Sequence, residues 1–131
     1  MDIAKDLALI DGLRTGVVPA EPDAEPDADG YRRAVLGLPP WRSAEDCYAY
    51  EAALSERLTE RWGEPSRWGT TTLVERAARG ERIPEPWGML GALATELRAW
   101  EVAGHWVVLT VADQDAEDPQ VHVVVTTTDP P

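Results

Sequence analysis

The segments HWVVLTV at residues 105–111 and VHVVVTT at residues 121–127 decide the fold. Both are rich in β-branched residues, and an acidic stretch containing Pro119 separates them. Such runs read as two strands of an antiparallel pair. Setting Val111 opposite Val121 places Leu109 against Val123 and Val107 against Val125, so six aliphatic side chains share one face. The other face then carries Trp106, Val108, Thr110, His122, Val124 and Thr126, a mixed set. Burying the aliphatic face contributes on the order of 10 kcal/mol as an upper bound. A slip of one residue would lose this segregation, so the register is well specified. Two strands alone are marginal. A third is therefore expected, with residues 31–38 the best candidate, and helices should cover the aliphatic face.

Working back toward the N-terminus, the period changes. Residues 87–100 place Leu90, Leu93, Leu97 and Trp100 at helical spacing, although Gly88 and Gly91 weaken the first turn. Thr72 and Glu75 match a capping box, and Gly80 sits where a helix-ending glycine belongs, so a short helix over 73–79 is preferred to a strand. The strongest helical pattern opens at Ser43, with Glu45 and Asp46 beside the positive end of the dipole. Cys47, Tyr50, Leu54, Leu58 and Trp62 line its apolar face, and Gly63 and Pro65 stop it. Ile3, Leu7, Ile10 and Leu13 mark a helix over residues 2–14.

The expected fold class is α+β: a small antiparallel sheet with a C-terminal β-hairpin packed against three to four helices. The expected division is an N-terminal helix over 1–14, an acidic flexible linker over 15–30 and one α+β domain over 31–131. The linker rests on the tandem Glu21-Pro22-Asp23-Ala24 and Glu25-Pro26-Asp27-Ala28, which has too little apolar surface to offset its ordering entropy.

The chain has 131 residues and a formal net charge of −12, but the charge is unevenly placed. Nine of the 24 acidic residues are Glu21, Asp23, Glu25, Asp27, Asp29, Asp113, Asp115, Glu117 and Asp118, leaving 15 against 12 basic ones elsewhere. The body is close to neutral. Negative charge confined to loops is a poor imitation of nucleic acid, and an acidic chain is a poor ligand for it. No nucleic acid and no membrane partner are expected, since no run approaches the ~18 apolar residues of a span. The single cysteine excludes an internal disulfide and fits a reducing compartment, so a cytoplasmic location is expected. Arginine dominance over one lysine, with abundant Ala, Gly, Pro and Val and no Phe, suggests a bacterial, GC-rich genome.

Motifs for chemistry are sparse. Cys47 sits on an apolar helical stripe with no nearby histidine in sequence, as a small buried hydrophobe does. The acids after Asp113 lack the glycine and glutamate of an EF-hand loop, whose positions hold Asp118 and Val124. Neither His105 nor His122 has a second His or Cys at zinc spacing. No metal, no cofactor and no catalytic residue are therefore expected. The most distinctive local feature is a repeat, Arg61-Trp62-Gly63 and Arg67-Trp68-Gly69. Trp and Arg are enriched at interface hot spots. Trp62 belongs to the helical stripe and Trp68 has none to join, which makes Trp68 the better candidate for exposure; the favoured reading nevertheless folds both indoles inward to close a helix–helix corner.

The leading functional expectation is a non-enzymatic module acting through a protein partner, of the immunity-protein, chaperone or adaptor kind. Its candidate residues are Arg61, Trp62, Arg67 and Trp68. The alternative is a small-molecule-binding or weakly catalytic domain with a pocket over the mixed hairpin face, at Trp106, Thr110 and His122.

Overall fold

A computed structural model describes residues 3–15, 31–37, 41–113 and 119–131. The 15–30 linker and the 114–118 part of the acidic interval lie wholly or almost wholly outside the described residues. The elements run α1 (Ile3–Thr15), β1 (Tyr31–Leu36), α2 (Ala44–Trp62), β2 (Ser66–Gly69), α3 (Thr71–Ala78), α4 (Trp87–Leu93), β3 (Glu96–Val102), β4 (His105–Ala112) and β5 (Gln120–Thr126). The strands form one antiparallel sheet in the order β1-β5-β4-β3-β2. The fold is α+β.

The hairpin forms in the expected register, with Val111 facing Val121, Leu109 facing Val123 and Val107 facing Val125. Those six residues, with Ala34 and Leu36 of β1 and Trp100 of β3, are buried beneath Leu7, Ile10 and Leu13 of α1 and Cys47, Tyr50, Leu54 and Leu58 of α2. The opposite face is buried as well. Val108, Val124, Leu97 and Ala99 pack there against Trp87, Leu90 and Ala94, with Trp68, Leu73 and Trp106 at the margin. The sheet thus lies between two helical layers, α1 with α2 and α3 with α4.

The α2 boundaries follow the chemistry read from the sequence. Ser43 Oγ accepts from the Asp46 N–H at 3.2 Å, and Gly63 closes the helix at φ 85°, a conformation that costs glycine little. Three expectations are corrected. Residues 87–100 are not one helix: α4 ends at Leu93, and Glu96–Val102 is the strand β3. Both faces of β3 are covered, Leu97 and Ala99 on one side and Trp100 on the other, so the alternation that marks a half-exposed strand is absent and the leucines fall at helical spacing by coincidence. The Thr72–Glu75 capping box does not form either. Thr70 is the N-cap, and its hydroxyl donates instead to the Ala94 carbonyl at 2.7 Å. Finally, the segment after Gly63 leads into an edge strand, β2, rather than directly into a second helix.

Candidate functional site

The Arg61-to-Trp68 repeat straddles the β2 edge of the sheet. Arg61 pairs with Asp11 of α1 at 3.0 Å, a surface contact of little energetic weight. Trp62 packs edge-on against Trp100, with ring centroids 6.1 Å apart, while the Trp100 indole N–H donates to the Gly63 carbonyl at 2.8 Å. Arg67 and Trp68 are successive on β2 and therefore point to opposite faces. Trp68 joins Trp87, at 5.5 Å, and Trp106, at 5.9 Å, in a three-indole cluster on the α4 side. Both indoles are half-buried, and the corner they close lies between a helix and a strand.

Beside this cluster is a cavity of about 430 Å³, lined by Arg67, Trp68, Gly69, Thr72, Leu73, Arg76, Trp87, Pro130 and Pro131. Leu73 and Arg76 come from α3, so the cavity lies between that helix and the β2 edge. Arg76 Nε lies 3.3 Å from a Glu81 carboxylate oxygen. Arg67 is exposed, and its charge acts on Glu51, lowering that carboxyl against the rise caused by burial. Among the described residues β2 pairs only with β3, so its outer backbone edge is left without a strand partner there.

A second cavity, about 270 Å³, opens on the other face of the sheet and is lined by Tyr48, Glu51, Thr95, Glu96, Arg98, Val111 and Asp113. Asp113 accepts two hydroxyl hydrogen bonds, from Tyr48 at 2.5 Å and Thr95 at 3.1 Å. That hydrogen bond, more than burial, pushes the Tyr48 hydroxyl up to about 12. Glu51 projects from the buried face of α2, four residues after Cys47, and is only 8 % exposed. Its nearest partner is Arg98, 3.6 Å away. Burial raises the Glu51 carboxyl above its ordinary 4.5, against the pull of Arg98. The Cys47 thiol, fully buried next to this cavity, is pushed up to about 11 by desolvation, with Glu51 and Asp113 adding to the rise. A thiol so placed is a packing residue.

Trp106, Thr110 and His122 share the α4 side of the sheet, as their strand positions require. Trp106 is half-buried, and its indole N–H donates to Asp129 at 3.1 Å. Thr110 is fully buried, with its hydroxyl on the Glu96 carbonyl at 2.5 Å. His122 is buried, with Nε2 3.2 Å from Gln120. Neither of the two cavities is lined by any of these three residues.

Sequence reasoning located Arg67 and Trp68 but missed Leu73, Arg76 and Trp87, which the chain brings to them only through tertiary packing. It also missed the Glu51 cavity, although one signal existed. Position 51 shares the helical face of Cys47, Leu54 and Leu58, where a carboxylate is out of place. The chain matches no family model, no curated protein and no solved structure.

Proposed function

We propose that the protein is a non-enzymatic binding module that captures an extended, acidic segment of a partner protein along β2. The observation that carries this reading is the open edge of β2 beside the Trp68–Trp87 cavity. An added strand gains affinity from backbone hydrogen bonds to an exposed edge, and specificity from pockets for its alternate side chains. Here the pocket floor is aromatic, suited to one apolar side chain. Arg76 lines this cavity, while the Arg67 side chain leaves β2 toward the opposite face, where its charge also acts on Glu51. An added strand alternates its side chains between those faces, so both arginines favour carboxylates at positions near the apolar one.

The test is selection from a displayed library of random decapeptides against the full chain. Enriched peptides should carry one large apolar residue flanked by Asp or Glu. Thr72 is exposed on α3 and lines the cavity, so Thr72→Trp fills the site without removing a core contact and should abolish the enrichment. Arg67→Glu should reduce it and relax the acidic preference. Enrichment that survives Thr72→Trp, or peptides with no acidic bias, would overturn the proposal.

A further inference from the structure

After β5 the chain runs through Thr127-Thr128-Asp129-Pro130-Pro131, a stretch that forms neither helix nor strand. It crosses the three-indole cluster and is held there by two N–H donors. The Trp87 indole donates to the Thr128 carbonyl at 3.1 Å, and the Trp106 indole donates to an Asp129 carboxylate oxygen at 3.1 Å. Pro130 and Pro131 then wall the cavity between β2 and α3, sharing it with Trp68, Leu73 and Trp87.

The segment is chemically prepared for such a seat. A residue before proline is held in extended or polyproline backbone, which applies to Asp129 and again to Pro130. Aromatic grooves bind stretches of this kind well because little conformational freedom remains to be lost. Trp87 is fully buried, so its N–H needs an acceptor, and a peptide carbonyl is a good one.

The hold is nevertheless slight. Asp129 and Pro131 are exposed, and Thr128 and Pro130 are half-buried. Lifting the segment away unpairs no strand. The same indoles would be satisfied by a carbonyl, a carboxylate and a proline ring brought by another chain. Attachment to β5 favours the resident segment, since a short tether gives an effective concentration on the order of millimolar.

We infer that residues 128–131 are a resident ligand of the β2 groove, an acidic, proline-containing segment that a partner must displace. This rests on the reading of the groove as a peptide site, and adds to it a ligand class and a built-in competitor.

The experiment follows tryptophan indole N–H resonances while the peptide acetyl-Thr-Thr-Asp-Pro-Pro-amide is added to the full chain. A second protein carries Asp129→Gly, Pro130→Gly and Pro131→Gly together, which keeps the chain length and removes the carboxylate and both rings. In that variant the peptide should shift the Trp87 and Trp106 indoles saturably. The Trp100 indole, bonded to Gly63 on the other face of the sheet, should stay in place. The parent should bind the same peptide about tenfold more weakly or not at all, because its own segment competes. Acetyl-Thr-Thr-Asp-Ala-Ala-amide should bind the variant more weakly than the proline peptide.

Equal affinity in parent and variant would overturn the inference while leaving the groove a peptide site. Absence of saturable shifts in the variant, or equal binding of the alanine peptide, would overturn it too. So would a triple variant that does not fold, since a segment required for folding cannot be displaced by a partner. Failure of the decapeptide selection alongside saturable binding of the proline peptide would instead remove strand addition and keep the resident ligand.

Discussion

At Glu51 the fold holds a carboxyl where its ionised form is disfavoured, and this has a consequence for stability. Because the folded value is raised, the native state binds the proton more tightly than the unfolded chain does. The stability Glu51 contributes is thus fully present below its unfolded value and is lost as pH rises through the folded one. Around neutral pH the ionised side chain works against the fold. Glu51→Gln is expected to melt higher than the parent at pH ~7, and the difference should shrink to nothing as pH falls toward ~4. Thermal melts of both proteins across that range check the sign; a variant that melts lower at neutral pH would show the Arg98 pair to outweigh desolvation.

Among the elements, the β3–β4 hairpin carries its strain in the backbone. Val102 pairs with His105, and the two residues between them, Ala103 and Gly104, have φ 51° and 84°. A two-residue loop with both angles positive matches the twist of the flanking strands, and it favours Asn-Gly. Ala103 accepts the left-handed conformation without the local hydrogen bonds that Asn offers. Ala103→Asn is expected to recover up to about 1 kcal/mol of that penalty, read as a rise in urea midpoint with unchanged slope. Gly104→Ala should move the midpoint the other way. This turn also explains why β3 was hidden in the sequence. Ala-Gly is a weak hairpin signal, and without it the leucines upstream were free to be counted at helical spacing.

Over the whole molecule, α1 is part of the core. Leu7, Ile10 and Leu13 lie with α2 over the same sheet face. Asp6 ties the helix down by accepting from the Gly37 N–H at 2.9 Å and from the Tyr50 hydroxyl. Ile10→Ala should therefore cost about 2–5 kcal/mol, the range for truncating a fully buried side chain. Against a typical total of about 5–15 kcal/mol this is a large fraction. A loss below about 0.5 kcal/mol by urea unfolding would mean that α1 is an appendage.

The sequence alone determined those parts whose signals are local: the β4–β5 pairing and its register, the caps of α2 and the buried stripe of Cys47, Tyr50, Leu54 and Leu58. Period, capping chemistry and β-branching act within a few residues, so they are legible without tertiary information. Tertiary structure decided what depends on coverage from elsewhere in the chain. Leu97 and Trp100 could separate onto two faces of a strand because helices cover both sides of the sheet. Trp68 became the wall of a groove because α3 and Trp87 close over it, and Glu51 became the edge of a cavity because Arg98 and Asp113 arrive from other strands. The hairpin quoted at the outset lies at the centre of all this, since each of its faces carries one helical layer.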